Sequence, residues 1–578
     1  MALKEFDCWV SVRICSFLRR ACSLMDSQAS RIKNRWLFAT TALAVAFLIL
    51  PLAKIFSLHS SYFDLGIFEN VFYQIAIIGE WQMAFSGHVL GLAPAYSWLY
   101  GMLPFAVAPY FLVGTQAALL VLPTLLLYRR FGKFLAFVYI AFCPLWVNAH
   151  FDFHFDHLVV PLLMGFYLSL LDRRIGWAVL SATLLIFVKE TFALQTAACG
   201  VLMLWAVFRG SSIWGQPLDL IRRRWLVVGS VWLFCAGLGC FYFEVQYLLP
   251  YFGPEGAGIA WGGAAFGWLG QGFGEILQTI ITKPYLVVWD IITTPRKLVY
   301  LGVVFGMLAF IPLLRPAFLI PTIPLLGIAM ISRLPNYYDY NTHYMAGLIV
   351  PVMFAFAHGL PRAEKIWEKL VIRMGVSSRI SALIGTGDHS RQLFYMLLFG
   401  WIFVGHVMLS PSPISRLFWS DKVWTYSWQA YVPTERVAMI KSMMEKYIPA
   451  DPDISVTTQN MLNYSHLAHR KVYSPFPMGI AEPRKVMDWS SRTWDGLGVF
   501  LKTGYKPTAI THDRYADYVV LDLKRPYFLI DRGCGWIYGE CRDKEVEKKF
   551  LGWVAYTRSI YDTVFELDGF MILRRSGI

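Results

Sequence analysis

Four short stretches gather ionisable residues within an otherwise apolar chain. The first, YFDLGIFEN at 62–70, carries Asp64 and Glu69 with no Lys or Arg between them, and His88 follows downstream. The second, HFDFHFDH at 150–157, packs His150, Asp152, His154, Asp156 and His157 among phenylalanines. The third is the adjacent pair Lys189 and Glu190, and the fourth is NYYDYNTHY at 336–344, with Asp339, His343, Tyr344 and Arg333 just upstream. A carboxylate against an apolar wall, without a salt-bridge partner, serves as a base or a metal ligand. In an extended 150–157 segment, alternation places Asp152, His154 and Asp156 on one side and the phenylalanines on the other. Mixed carboxylate and imidazole donors suit Mg²⁺, Mn²⁺ or Zn²⁺, so His154, Asp156 and His157 are the expected metal ligands, although their spacing matches no standard zinc motif. Lys189 is suited to hold a phosphate as a point charge. The plainer alternatives are Asp64 capping the helix that begins at LGIF, Lys189 and Glu190 marking a span boundary, and the tyrosines at 337–344 forming an interfacial belt.

The elements that must position these residues are membrane spans. The chain has 578 residues, 57% apolar and 16% charged, with a mean hydropathy of +0.48. Soluble chains carry about 25% charged residues. A polytopic α-helical membrane protein is therefore expected, and coiled coil, collagen and disorder are excluded. Apolar runs fall at 36–56, 109–128, 131–149, 158–171, 175–188, 192–208, 225–249, 297–314, 317–331, 344–357 and 393–409. These make about 11 transmembrane helices. Segment 89–108 is apolar but interrupted by Pro94, Pro104 and glycines, and is expected to lie in the interface rather than cross.

Alternate connections segregate the charges. One set holds the leader 1–35, Arg129, Arg130, Lys133, Arg173, Arg174, Arg222, Arg223, Arg224, Arg362, Lys365 and Lys369, while the other holds few cations. The positive-inside rule then puts the N-terminus in the cytoplasm and residues beyond 410 outside. The net charge of +14 is explained by these loops and by contact with anionic lipid, with no call for nucleic acid. All four ionisable clusters fall on the outer side, where charge near membrane depth marks function. The Gly-rich segment 250–289 is expected to be an external loop able to close over a substrate.

Beyond 410 the charge density rises. A helix at 436–447, a second at 462–467, and strands at 453–458, 518–523 and 569–573 indicate an extracytoplasmic α/β domain over 411–578. Cys534 and Cys541, the two cysteines of that domain, are expected to form a small-loop disulfide rather than a metal ribbon, which needs four ligands.

DLGIFEN, FSGH at 85–88, FDFH at 151–154, VKE at 188–190, THY at 342–344 and ADYVVLD at 516–522 occur in this order. Together they resemble a bacterial family of predicted polytopic membrane proteins of unknown function. That family looks distantly similar to the GT-C membrane glycosyltransferases, which take a sugar from a polyprenyl-phosphate donor and transfer it with inversion on the outer face. The resemblance implies a GT-C-like transmembrane domain over 36–410, with interfacial helices in an external loop at 58–108, in the bacterial cytoplasmic (inner) membrane. It implies that Asp64 matches the first-loop acid and that Asp152 and Asp156 match a second acidic motif. The histidines of that motif depart from the GT-C pattern and leave open whether metal is used and how the donor phosphate is held.

The combined expectation is a glycosyltransferase with Asp64, Asp152 and Asp156 catalytic. Glu69, His88, Lys189, Glu190, Arg333, His343 and Tyr344 would bind substrate or phosphate, and the acceptor would be a glycan, lipid or protein. The alternative is a lipid or solute transporter whose charges form an ion-coupled site; it would place them near mid-membrane, often with internal repeats.

Overall fold

The computed structural model describes residues 29–214, 219–253, 263–373, 388–420, 426–480, 484–487, 492–503, 511–525 and 544–577. Cys534 and Cys541, and the leader 1–28, lie outside these residues. Among these described residues, five helices are long and apolar enough to cross a membrane: Ala108–Phe131, Glu190–Arg209, Leu220–Phe252, His343–Ile372 and Ser390–Leu409. Two further pairs pass the same test only as bent units. These are Lys133–Ile140 with Cys143–His150, bent by 48°, and Phe273–Thr282 with Pro284–Thr293, bent by 86°. Shorter apolar helices at Thr40–Phe56, Phe155–Leu171, Ile175–Phe187 and Pro316–Ile331 pack among them.

The breaks follow from sequence. Gly132, at φ +87°, ends Ala108–Phe131 just after Arg129 and Arg130, because a glycine accepts the left-handed turn and cations favour the carbonyl end. Pro144 sits in the first turn of Cys143–His150, where its missing N–H leaves no bond unmade. The expected span at 297–314 does not form. The helix Pro295–Val304 gives way to 3₁₀ turns around Ala309 and Phe310, both left-handed. The expected loop at 250–289 is also corrected: Phe273–Thr282 and Pro284–Thr293 are helices with no buried side chain. Segment 89–108 holds only the nine-residue helix Ala93–Gly101, with Trp98 exposed.

The C-terminal part carries β1 (Val456–Thr458), β2 (Tyr473–Pro475), β3 (Arg484–Met487), β4 (Thr511–Arg514), β5 (Tyr518–Asp522), β6 (Tyr561–Leu567) and β7 (Phe570–Arg575). The main sheet runs β2-β1-β5-β7-β6, parallel from β2 to β5 and antiparallel beyond, and β3 pairs with β4 separately. β5 is buried along its whole length, as a central strand reading YVVLD should be. Helix Glu435–Tyr447 forms as expected, capped by Thr434, whereas the second expected helix shrinks to Ser465–Ala468.

This sheet is joined to the helical part along segment 58–73. Tyr62 N donates to Asn460 O at 2.7 Å, Phe63 N to Asn460 Oδ1 at 3.0 Å, and Asn70 Nδ2 to the carbonyls of Ala468 and Arg470 at 2.8 and 2.7 Å. Arg525 donates to the carbonyls of Leu58 and Met461 while paired with Asp522 at 3.0 Å. Gly66 permits the approach: a Cβ there would lie 2.6 Å from Asn463 Oδ1.

Candidate active site

Segment 62–73 is a single helical run, a π-turn Tyr62–Gly66 followed by the α-helix Ile67–Tyr73. Its polar residues point to different places. Asp64, Ile67 and Phe68 line one cavity of about 310 Å³, within the usual range for ligand pockets. Leu65, Glu69 and Tyr73 line a second, of about 430 Å³, between this segment and the C-terminal part.

The first cavity brings together residues from all four sequence clusters. Asp64 and His88, His154 and Asp156, Lys189, and His343 with Tyr344 all line it, together with Asn336, Thr342 and several aromatic rings. Asp64 accepts a hydrogen bond from Ser61 Oγ at 2.6 Å, and its Oδ1 lies 3.3 Å from His154 Nε2. The His154 and His343 rings stack with centroids 3.5 Å apart. Asp156 bridges two partners, His343 Nε2 at 3.1 Å and Lys189 Nζ at 3.6 Å, and Lys189 also lies over the Tyr344 ring. Burial, reinforced by the charge of Asp152, pushes the Asp64 carboxyl well above the usual carboxylate range. Burial holds the His154 imidazole well below its usual value, and Lys189 acts in the same direction. For Lys189, burial opposes the charge, but Asp156 and Glu190 outweigh it and the ammonium is raised.

His154 reaches the cavity because its segment is fixed from several sides. Asp152 adopts φ +89°, a strained conformation for a non-glycine residue that the surroundings must hold. Lys54 donates to Asp152 Oδ1 at 2.9 Å and to His150 O at 2.7 Å, and Ser61 N donates to Asp152 Oδ2 at 2.8 Å. Gln116 donates to Asp152 O at 2.6 Å and accepts from His154 N at 2.8 Å.

This turn overrides the expected alternation. Asp152 is not among the cavity's lining residues and instead forms a buried ion pair with Lys54; burial raises its carboxyl and Lys54 opposes the rise. Of the expected metal ligands, His157 turns away to Tyr96, with Nε2 3.3 Å from the hydroxyl. His150 meets Tyr431 at 2.8 Å. Arg333 stacks over Trp268 rather than entering the cavity. Glu190 accepts from Val89 N at 3.1 Å and lies 2.9 Å from His88 Nδ1, behind the cavity wall. Glu69 faces the second cavity, accepting from Asn463 Nδ2 at 2.8 Å and Ser465 Oγ at 2.6 Å. Burial raises its carboxyl to about 7 against these two hydrogen bonds.

Sequence reasoning missed Lys54, Ser61 and Gln116, and took in Asn336 and Thr342 only as members of the motif at 336–344. Lys54 did leave a signal, as a cation in the last turn of the first apolar run, where such a charge needs a partner. Among the described residues, Asp64, His154 and His343 form the group whose ligand atoms lie within 4.8 Å of one another.

The family described as "Predicted membrane protein (DUF2079)" matches residues 54–491, a stretch that contains every group lining both cavities. The chain belongs to that family. A comparison with curated proteins finds no match. Two solved structures, ArnT from Cupriavidus metallidurans bound to undecaprenyl phosphate and the same protein in the apo state, are each 16% identical to this chain. They cover 93% and 94% of it, and 97% and 98% of their own chains, with TM-scores of 0.39 and 0.41. These overlaps are loose, and the chemistry of this family member rests on its own site.

Proposed function

We propose that the chain is a membrane glycosyltransferase, moving a sugar from a polyprenyl-phosphate donor to an acceptor hydroxyl on the outer face of the bacterial cytoplasmic membrane. The acceptor is a glycan, lipid or protein. The observation that carries this reading is the placing of Asp64 and Lys189 in one aromatic-lined cavity at the ends of apolar helices. A donor can leave its lipid tail among the helices while its phosphate and sugar enter the cavity.

In the reaction, the acceptor oxygen forms a bond to the anomeric carbon as the bond from that carbon to the phosphate oxygen breaks. Asp64 takes the acceptor's proton, with Ser61 holding one carboxylate oxygen in place. The leaving polyprenyl phosphate carries the electron pair, and Lys189 meets its charge. Attack on the face opposite the phosphate inverts the anomeric centre. Asp152 takes no part beyond shaping the turn that presents His154.

The orientation is supported by helix His343–Ile372, which runs from His343 in the cavity to Arg362, Lys365 and Lys369 at its far end. A cavity at helix ends favours transfer over ion-coupled transport, which uses charges near mid-membrane. The test is turnover. Purified protein in lipid nanodiscs, given a polyprenyl-phosphate hexose and a cell-envelope extract as acceptor, should release polyprenyl phosphate by mass spectrometry. Movement of an intact donor across sealed vesicles without its cleavage would support the transporter instead.

A further inference from the structure

We infer that Asp64, His154 and His343 hold a divalent transition-metal ion such as Zn²⁺ or Mn²⁺. The inference deepens the proposed transfer reaction, whose cavity it shares, but the site is argued from its own geometry.

The three donors converge from separate parts of the fold: the turn after the first apolar helix, the pinned segment at 150–154, and the start of helix His343–Ile372. One ligand atom from each lies within 4.8 Å of the other two. Asp64 Oδ1 and His154 Nε2 are 3.3 Å apart. Metal bonds of about 2.0–2.2 Å put neighbouring ligands on a tetrahedral ion roughly 3.4 Å from one another. That pair already has the spacing of two ligands on one ion.

The imidazoles also lack the partners that a purely structural role would give them. His154 Nδ1 and both ring nitrogens of His343 are buried without a hydrogen bond. The 3.1 Å contact between His343 Nε2 and Asp156 falls outside hydrogen-bond geometry. Buried polar nitrogens are ordinarily satisfied, and three unsatisfied on two stacked rings call for a ligand. Asp156, beside His343 and held by Lys189, is placed as the carboxylate that would fix that ring, as metal-bound histidines commonly require.

Donor type narrows the ion. Two imidazoles and one carboxylate suit Zn²⁺, Mn²⁺ or Fe²⁺ with positions left open, whereas Mg²⁺ and Ca²⁺ prefer oxygen. Charge points the same way. With both carboxylates ionised, as a base and a metal ligand must be, Asp64, Asp156 and Lys189 give the cavity a net charge of −1, a poor receptor for a phosphate. A divalent ion reverses that sign. Asp64 Oδ1 faces the imidazole and Oδ2 stays with Ser61, so ligation by one oxygen leaves the other to receive a proton.

The experiment uses full-length protein in detergent, purified without chelator and assayed for metal, then stripped and titrated with ZnCl₂ and MnCl₂ by calorimetry. One ion per chain is expected, with affinity falling by about 100-fold or more in His343→Gln and Asp64→Asn. His157→Gln, which changes the ring that turns away, should bind as the parent does. A rise in melting temperature on adding ZnCl₂, present in the parent and absent from His343→Gln, separates ligand loss from misfolding. Failure to bind either ion, or equal binding by parent and His343→Gln, overturns the inference. Transfer by protein that binds neither ion overturns the inference and leaves the transferase reading standing. Metal bound without sugar transfer upholds the ion and removes the transferase.

Discussion

Asp64 and Glu69 lie five residues apart on one helical run and face different cavities. Asp64 points among His154, Lys189 and His343, while Glu69 is held by Asn463 and Ser465 of the C-terminal part. One motif, DLGIFEN, therefore does two jobs. Its aspartate serves the candidate reaction, and Gly66, Glu69 and Asn70 fasten the C-terminal part to the helices.

Gly66 is the tightest point of that fastening. In Gly66→Ala the added methyl would meet Asn463 Oδ1 at 2.6 Å and Tyr473 Cε1 at 3.2 Å. Asn463 must then move off Glu69. We expect a loss of about 1–3 kcal/mol, the usual range for overpacking, read as a lower melting temperature and faster proteolysis within 460–475. An unchanged melting temperature would show that the contact is not constrained.

Glu69 makes stability depend on pH. Its carboxyl is raised from 4.5 to about 7 in the folded state by burial. The folded chain thus keeps a proton that the unfolded chain has released. Its contribution to stability is greatest below the unfolded value, falls as pH rises toward about 7, and levels off above it. The full change is about 3 kcal/mol. Of the groups facing it, Tyr73, Tyr100 and Tyr473 are raised by burial, whereas His469, lowered from 6.5 to about 3, makes stability rise with pH up to about 6.5 and so opposes Glu69. Lys441, Glu445 and His466 line the same cavity. Between pH 5 and 7 the parent should lose melting temperature relative to Glu69→Gln, a comparison in which the histidine contributions cancel; a constant difference between the two would contradict the assignment.

Much of this was legible in the sequence. The apolar runs, the helix at Glu435–Tyr447 and the three main strands are dictated by local pattern, and the four ionisable clusters were visible because charge is rare in such a chain. What could not be read was direction. A period-2 reading of 150–157 assumes ordinary strand dihedrals, and the left-handed turn at Asp152 breaks it. That turn depends on Lys54, Ser61 and Gln116, which come from distant segments. Likewise nothing local distinguishes Glu69 from Asp64; the residues that claim it lie nearly four hundred positions away. The broken helix at 295–314 was missed because hydropathy records composition and not the two left-handed residues that interrupt it.

Lys54 and Asp152 form a buried pair, and removing one partner strands the other. Lys54→Met should cost about 3–5 kcal/mol, the range for an uncompensated buried charge. The double variant Lys54→Met, Asp152→Asn should recover part of that loss. Thermal unfolding of the single and double variants in the same detergent checks this. A single variant as stable as the parent would mean the pair does not hold the turn.

Lys189 bears on the leaving phosphate. Lys189→Met should lower transfer by about 100-fold or more, in line with loss of one electrostatic contact to developing charge. Lys189→Arg should recover part of the activity. Initial rates with a labelled polyprenyl-phosphate hexose would show this, and full activity in Lys189→Met would remove the residue from the reaction.

The most direct measurement compares parent and Asp64→Asn in nanodiscs with that same labelled donor, following sugar transfer and retention of the lipid together. The asparagine keeps the shape of the side chain beside Ser61 and cannot take a proton. The expected result is transfer by the parent, none above background by Asp64→Asn, and donor lipid still bound by both. Transfer by Asp64→Asn at the parental rate would contradict the central claim that this carboxylate activates the acceptor.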